Sequence, residues 1–528
     1  MKTLILIICF ALLTYCTWYV TPYFVFFQFI PVFLLIRSEK TRSIILPVYL
    51  MMYLYNHIVT YWLQHYAFYK GLLTFLVNAA LMTIVITLSH RLSRNRPFTY
   101  KGVLFISAWI VFEYLHFSWE LSWPWLTLGN VLGSVPGIIQ WYEFTGTLGG
   151  SVWILLLNFL FSLLLVPPER ARLNATGIVT AVVIVLPTLL SFGLYYREQQ
   201  NADYAKTDAT AELLIVHSNF SSSTYQSDET RLGKFKQLIE NQIDSTTDYL
   251  IFPELFLSNG AFINNVTNQS SYFFINNLTQ EHPKLKTIVG TTIKRARRTE
   301  LLTGPINESS YDQFNSAIQV DSGFAILHKM KKKFIPFEER IPYNLNFLNF
   351  KSANFETLPK NPDVFRSSGH SPLISICYES INTTFVAEAA RDADFIVMMA
   401  SESFFKGNAD GKDQYLTICR IRSIETRKPV VKVSNAGYSA LIDPAGNIEM
   451  AYKKKQPSVI HCSLSPAEGS TFYMRFPYLT GTICLILSIV LIALPYVRIL
   501  QNTTADIFRR SVKLARLFSK SGTQSRGI

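Results

Sequence analysis

Three residues in this 528-residue chain stand just past short apolar runs, and their types suit nucleophilic chemistry. Glu254 follows Leu250-Ile251-Phe252-Pro253. Cys377 follows Leu373-Ile374-Ser375-Ile376 and leads into Tyr378-Glu379. Lys331 comes directly after Leu327-His328-Lys329-Met330. A free thiol has a pKa of about 8.5, so only a few per cent of it is thiolate at neutral pH. A carboxylate beside it can take its proton. A lysine ammonium beside it can face the oxyanion of a tetrahedral intermediate, and losing one such donor costs about 10²–10³ in rate. A Cys at the start of a helix would also gain from unpaired backbone N–H groups. Taken alone, each residue has a plainer reading: a buried Cys is a small hydrophobe, and a carboxylate after a strand is a helix cap.

The elements that would carry these residues alternate. Residues 213–219, 249–254, 286–293, 314–321, 323–329, 371–377, 395–400 and 429–434 are short, rich in Ile and Val and bounded by turn residues, which predicts strands. Residues 228–243, 381–391 and 412–427 predict helices. Alternation of this kind implies α/β layers with buried central strands, whose ends are where such sheets place their sites. The six cysteines are Cys9, Cys16, Cys377, Cys419, Cys462 and Cys484. They form no CxxC or Cys/His spacing, so neither a disulfide framework nor a metal site is expected. No P-loop or dinucleotide fingerprint occurs, and no cofactor is expected.

Outside 197–476 the composition changes. Apolar runs fall at 4–20, 22–36, 44–63, 71–89, 102–117, 147–166, 174–195 and 477–497. Most are near the ~20 residues a helix needs to cross a bilayer, and the second, being short, suits a kinked or interfacial helix. The whole chain is 49% hydrophobic and 16% charged, against about 25% charged for a soluble domain. Disorder and a collagen-like scaffold are thereby excluded. The formal charge of +13 would suit nucleic acid, but its distribution does not. Residues 197–476 are nearly neutral at +1, and the apolar remainder carries +12. With a cytoplasmic N-terminus, Lys2, the even-numbered connections and the C-terminal tail hold seventeen basic residues, and the odd-numbered connections hold Lys70 alone. That asymmetry is the positive-inside pattern, and it puts 197–476 across the membrane from the charge. The stretch ending Leu13-Thr14-Tyr15-Cys16 faintly resembles a lipoprotein signal, but Tyr15 is too large for such a cleavage site, so a retained helix is expected.

These motifs resemble those of the nitrilase superfamily, whose members use a Glu-Lys-Cys triad on an αββα sandwich. The likeness is closer still to the apolipoprotein N-acyltransferase family, which sets that domain between seven membrane helices and an eighth. Phe252-Pro253-Glu254 matches the family's W-P-E. Lys331 to Glu339 is similar to K-x-x-L-V-P-F-G-E, and Ile376-Cys377-Tyr378-Glu379 matches the nucleophile motif. Gln414, Arg420, Arg422 and Glu425, then Ser434-Asn435-Ala436-Gly437 and Ile442 to Gly446, resemble the stretches that follow. In the membrane part Trp123-Pro124-Trp125, Gln140-Trp141 and Gly146 also fit. The resemblance implies Glu254, Lys331 and Cys377 as catalytic residues, with Glu339, Glu379 and Tyr378 in support. It departs at Phe252, Glu338, Phe404 and His217-Ser218-Asn219.

The implied activity is transfer of an acyl chain from a phospholipid, through a Cys377 thioester, to the α-amine of a diacylglyceryl-cysteine apolipoprotein. The implied location is the bacterial inner membrane with the catalytic domain periplasmic. The expected organisation is seven helices over 1–196, the domain over 197–476, an eighth helix over 477–498 and a basic cytoplasmic tail over 499–528. Phe404, Phe405, Phe256 and Phe262, with Tyr272, Phe273 and Phe274, are candidates for contact with lipid, core packing being the alternative for each. Glu113 and Glu143, in or beside apolar stretches, are expected in structural hydrogen bonds or at an interface. Lys453 to Lys455 and Lys294 to Arg298 are expected in solvated turns. A tethered amidase or nitrilase acting on a small C–N substrate is the competing enzyme class. A membrane scaffold or transporter is the non-enzymatic one.

Overall fold

The computed structural model describes residues 1–37, 41–165, 170–205, 210–220, 227–297, 311–322, 326–345, 347, 352–358, 361–367 and 369–494. The expected basic tail at 499–528, Lys40 and the start of the expected strand at 323–329 lie outside the described residues.

The N-terminal part is helical. It comprises α1 (Lys2–Tyr19), α2 (Val25–Gln28), α3 (Ile30–Arg37), α4 (Thr41–Thr60), α5 (Leu63–Tyr66), α6 (Phe68–Leu92), α7 (Phe98–Leu115), α8 (Tyr142–Leu165) and α9 (Arg170–Ala205). Among the described residues five helices are long and apolar enough to cross a membrane: Lys2–Tyr19, Phe68–Leu92, Phe98–Leu115, Tyr142–Leu165 and Leu173–Asn201. Three more, Pro22–Arg37, Ile44–Thr60 and Leu479–Leu494, are apolar but shorter. All eight expected apolar runs are thus largely helical over their described residues, and among those residues five helices reach full spanning length. The second run is broken, as its length suggests. It opens on a 3-10 turn at Pro22–Phe24 and breaks again at Phe29. Backbone groups freed inside a bilayer need protein partners. Asn158 of α8 supplies them, accepting from Phe29 N at 2.7 Å and donating to Val25 O at 2.8 Å.

The remainder is a two-sheet sandwich. The first sheet orders β12-β1-β2-β4-β5-β6, with β3 also on β4, and the second orders β11-β10-β9-β8-β7. The strands are β1 (Ala211–His217), β2 (Tyr249–Ile251), β3 (Leu257–Phe262), β4 (Lys286–Ala296), β5 (Tyr311–Val320), β6 (Ile326–Met330), β7 (Pro372–Ile376), β8 (Phe395–Ser401), β9 (Val430–Asn435), β10 (Ser439–Ile442), β11 (Ile448–Tyr452) and β12 (Ser458–Leu464). A dry layer that includes Ile215, Ile251, Ile288, Ile374, Val397 and Val431 fills the space between the sheets. Helices α10 (Asp228–Glu240) and α11 (Ser270–Glu281) cover the first sheet, and α12 (Thr383–Ala389) and α13 (Ala409–Thr426) cover the second. The chain then runs through α14 (Phe472–Arg475) into the apolar helix α15 (Leu479–Leu494). Every expected helix of the domain is present. The sequence reading missed α11, β3, β10, β11 and β12.

The second helix layer does not face water. Residues of α12 and α13 share one apolar core with α1, α4, α7 and α8. Polar groups lock this junction. Glu425 of α13 accepts from Thr147 N at 2.8 Å and Oγ1 at 2.6 Å, and pairs with Arg422 at 2.9 Å. Arg427 reaches Glu143 at 2.5 Å and Gln140 O at 2.9 Å, and Arg197 reaches Glu143 at 2.9 Å. Glu113 accepts from Trp109 Nε1 and Leu128 N, each at 2.9 Å. Glu113 and Glu143 are thus in structural contacts. Lys453 to Lys455 are exposed. Arg295 and Arg297 lie at the end of β4 and its margin and pair with Asp312, where a solvated turn was expected.

Arg422 and Glu425 are almost fully buried, and breaking such a pair by removing one charge costs about 3–5 kcal/mol. Glu425→Gln should therefore lower the thermal unfolding midpoint of the detergent-solubilised protein clearly. An unchanged midpoint would mean that the junction is held by apolar contact alone.

Candidate active site

Glu254, Lys331 and Cys377 come from three strand ends, Glu254 and Cys377 on one cavity wall and Lys331 buried against Glu254. Glu254 lies three residues beyond β2. Its loop passes so close to β4 that a Cβ on Gly290 would sit 2.3 Å from Pro253 O and 2.7 Å from Glu254 Cα. Leu255 then takes a left-handed backbone with φ 52° and turns the chain away. Lys331 follows β6, its N–H held by Asn315 O at 2.9 Å. Cys377 follows β7 with φ 50°, a conformation that non-glycine residues rarely adopt and that usually marks a functional constraint.

The ammonium of Lys331 is wholly buried between two carboxylates, 3.0 Å from Glu254 Oε1 and 2.6 Å from Glu339 Oε1. Asn315 Nδ2 donates to Glu254 Oε1 at 2.7 Å, and the Ser401 N–H donates to Glu254 Oε2 at 2.8 Å. Glu339 Oε2 accepts from Ile335 N at 2.9 Å. Burial alone would pull the Lys331 pKa down, but Glu254, Glu339 and the Cys377 sulfur outweigh it and hold Lys331 well above the ordinary lysine range. Burial pushes the Glu339 carboxyl up, against the pull of Lys331. Burial, then the charge of Glu254, pushes the Cys377 thiol well up, with Lys331 opposing.

Four lysines crowd this loop, and their partners distinguish them. Lys329 pairs with Asp363 and with Glu379 at 3.0 Å. Lys332 pairs with Asp363 at 2.6 Å, and Lys333 donates to Phe117 O at 3.1 Å. Lys331 is the one that reaches Glu254.

Glu379 and Tyr378 touch the framework. Glu379 accepts from Ile376 N at 2.8 Å and from Lys332 N at 2.6 Å, tying the turn after Cys377 to the loop after Lys331. Tyr378 donates to Ser122 O at 2.7 Å and stacks on Trp123. Cys377 does not open an α-helix, as the sequence suggested. It opens a five-residue 3-10 turn, Cys377–Ile381, and Asn382 caps the separate helix α12 by accepting from Phe385 N at 3.0 Å.

The cavity beside Cys377 has a volume of about 210 Å³ and is mainly aromatic, with Trp62, Trp123, Trp125, Phe404, Phe405 and Tyr415 in its wall. Phe404 lies 4.3 Å from the Tyr66 ring, and Phe405 is buried against Trp62 and Tyr415. Phe256 is not there. The left-handed turn at Leu255 sends it back into the outer core, 4.7 Å from Phe252 and 5.9 Å from Phe235. Phe262 lies at the end of β3 against Tyr311, away from the cavity wall, and Tyr272 is buried in the outer core. Of Phe273 and Phe274, the first is exposed and the second half-buried.

A second cavity of about 420 Å³ runs along α6, lined by apolar residues such as Leu73, Val77 and Leu81. Tyr66, Trp123, Ile335, Glu338 and Phe404 belong to the walls of both cavities. Among the described residues no group of three or more His, Cys, Asp or Glu side chains could hold a metal ion. Sequence reasoning missed Asn315, Ser401, Glu402 and Tyr415. Glu402 directly follows an apolar strand, the same signal that marks Glu254 and Cys377.

Comparison with known proteins agrees with this architecture. The family model for the apolipoprotein N-acyltransferase N-terminal domain matches residues 6–160, and that for carbon-nitrogen hydrolase matches 219–468. The chain is 23% identical to the apolipoprotein N-acyltransferase of Chlorobaculum tepidum, over 85% of this chain and 87% of the relative. It is 24% identical to that of Vibrio cholerae and 22% identical to that of Pseudomonas paraeruginosa, each over 71% of this chain and 70% of the relative. Among solved structures, Nit3 of Saccharomyces cerevisiae, from the nitrilase superfamily, aligns with a TM-score of 0.36 and 15% identity over 49% of this chain and 90% of its own. An amidase from Nesterenkonia aligns with a TM-score of 0.33 and 12% identity over 50% of this chain and 92% of its own. With the two family models in order along it and relatives aligned over most of its length, the chain is similar throughout to the apolipoprotein N-acyltransferases.

Proposed function

We propose that this membrane protein moves an acyl chain from a phospholipid to the α-amine of a diacylglyceryl-cysteine lipoprotein by way of Cys377. The observation that carries this reading is the shared wall of the two cavities. The space beside Cys377 adjoins an apolar groove along α6, with Phe404, Tyr66 and Trp123 forming the wall between them. Each buried CH₂ is worth ~0.8 kcal/mol, so pulling a 16-carbon chain into water would cost about 12 kcal/mol. A groove that keeps the chain in apolar surroundings removes most of that cost. A small polar C–N substrate, as in the competing amidase reading, has no use for it.

The steps follow from the contacts. Glu254 takes the Cys377 proton, and the thiolate attacks the ester carbonyl while the Lys331 ammonium faces the oxyanion. The intermediate collapses, and the lysophospholipid leaves with the proton held by Glu254. A thioester remains. The acceptor amine then attacks it, the C–S bond breaks, and an amide forms. Glu339 serves as the second counter-charge that keeps Lys331 protonated, and Glu379 and Tyr378 hold the turn at Cys377. The basic residues lie on the cytoplasmic side by the positive-inside pattern. That puts the catalytic domain, over 197–476, on the periplasmic face of a bacterial inner membrane, with seven helices over 1–196 and an eighth over 477–498.

Three tests apply. Mass spectrometry after incubation with phospholipid should find one acyl adduct on the wild type and none on Cys377→Ala. A folded wild type that stays unmodified would sink the proposal, and release of free fatty acid without N-acyl product would favour hydrolysis. A thiol pushed up in pKa holds less thiolate at neutral pH. Iodoacetamide labelling of Cys377 should therefore be slow at pH 7 and keep climbing above the ordinary thiol range of about 8.5. Labelling that levels off below that range would contradict the buried-thiol picture. Phe404→Ser should slow acyl loading from phospholipid without moving the unfolding midpoint. Equal loading rates would remove Phe404 from the lipid path.

A further inference from the structure

Glu402 has no role in the steps above, yet it lines the same cavity as Cys377 and Glu254. It opens the turn Glu402–Phe405, directly after Ser401, whose N–H holds Glu254. It is only 2% exposed. Its two oxygens are treated very differently. Oε1 takes every donor: the Lys432 ammonium, Ser434 Oγ at 2.8 Å and Tyr438 N at 3.4 Å. Oε2 is buried and has no hydrogen-bond partner among the described residues. The backbone makes room for this arrangement, since a Cβ on Gly437 would sit 2.1 Å from Glu402 Cδ. Lys432 is itself fixed, donating also to Tyr438 O at 2.6 Å and lying over the Tyr415 ring. Tyr415 in turn donates to Cys377 O at 3.1 Å.

A buried carboxylate oxygen without a donor is costly, and a native fold seldom keeps one idle. The neighbouring ammonium groups cannot serve it. Lys331 is spent on Glu254 and Glu339, Lys432 on the other oxygen, and Lys412 lies over the Tyr438 ring. A donor from outside the chain would reach Glu402 from the cavity whose wall it shares. The reacting part of an acyl ester offers oxygens that only accept. An α-ammonium offers three N–H donors and a positive charge, and charge-assisted hydrogen bonds of this kind are the strong ones.

We propose that Glu402 is the acceptor-binding residue, its Oε2 taking a hydrogen bond from the α-amino group of the second substrate while Lys432, Ser434 and Tyr438 hold Oε1. This rests on the thioester reading above and assigns the residue that serves its second half. The ammonium docks on Oε2 and loses one proton to bulk water through the cavity mouth. The neutral amine, still donating to Oε2, attacks the thioester carbon. The N–C bond forms, the C–S bond breaks, and Glu254 carries the amine's remaining surplus proton to the departing Cys377 sulfur. Atoms and charge balance, and Glu402 takes no part in loading.

The test separates the two halves on the full-length protein in detergent. Wild type, Glu402→Gln and Glu402→Asp are loaded with dipalmitoyl phosphatidylethanolamine, and the acyl adduct is followed by mass. The loaded proteins are then discharged either by a diacylglyceryl-cysteinyl peptide with a free α-amine or by hydroxylamine, which is small, neutral and needs no carboxylate to dock it. Glu402→Gln should still load and should discharge to hydroxylamine at the wild-type rate. Its discharge to the peptide should fall by about 10²-fold, the low end of what a positioned acid–base group contributes, with a raised KM for the peptide. Glu402→Asp should recover part of that loss. Peptide discharge at the wild-type rate in Glu402→Gln would overturn the assignment. So would a matching loss with hydroxylamine, or failure of both variants to load, since either would make Glu402 a part of the framework. A wild type that never acquires the adduct would instead strike the thioester reading itself.

Discussion

The Lys331 ammonium, buried between Glu254 and Glu339, is the constraint on which the rest of the site depends. A buried ammonium is expensive unless it is paired and hydrogen-bonded, and a single carboxylate would leave donors unused. Two carboxylates satisfy it, but two buried like charges then need their own donors. Asn315 and the N–H groups of Ser401 and Ile335 supply these. These three groups come from β5, the end of β8 and the loop after β6. The ion cluster therefore fixes the first sheet, the second sheet and the catalytic loop relative to one another. Cys377 enters this frame at the end of β7, with Ile376 in register with Met399 of the strand that carries Ser401. The strained backbone at Cys377 persists because Glu379 pins both sides of it.

The same economy of contacts explains how the domain sits on its helices. A helix layer outside a sheet would ordinarily turn its outer face to water. Here α12 and α13 are buried on both faces, against β7 to β9 on one side and the membrane helices on the other. Apolar packing gives this junction its area but not its register. Register comes from the polar groups that must find partners once buried: Glu425 with Thr147 and Arg422, Arg427 with Glu143 and Gln140, and Tyr378 with Ser122. Tyr378 links the two scales, since the residue after Cys377 is also the one that touches the membrane part.

How much of this was legible in the sequence depended on whether the cause was local. Glu254 and Cys377 stand out because buried strands read as short apolar runs and their ends are visible. The apolar helices are visible for the same reason, although the break at Phe29 depends on Asn158, more than a hundred residues away. Lys331 was ambiguous among four lysines, and only their separate partners resolve it. Phe256 was left open between lipid contact and core packing because the left-handed turn at Leu255, after which it packs in the outer core, leaves no mark in composition. Strand β12 alternates buried and exposed positions over its second half, Cys462 and Leu464 inward, His461 and Ser463 outward, so it lacks the continuous apolar run of a central strand. Asn315 and Ser401 were invisible for a different reason. They hold Glu254 from 61 and 147 positions away, and contacts between residues so far apart have no signature in either neighbourhood.

The aromatic wall of the cavity makes sense only in the time between the two half-reactions. A thiol that burial pushes up in pKa is a poor nucleophile at rest and a good leaving group only if its departure is assisted. On the proposed chemistry the thioester must therefore outlast the departure of one lipid and the arrival of another, with Glu254 close enough to activate any water that enters. Exclusion of water is then a requirement of specificity. Trp62, Trp123, Trp125, Phe404 and Phe405 supply it, since they are broad, stiff and able to pack edge to face without gaps. The polar atoms that remain on the cavity wall are then few, and each has to be accounted for by a substrate atom. A site built to discharge to water would need none of this enclosure, whereas one built to wait for an amine needs the enclosure and a single unpaired acceptor inside it.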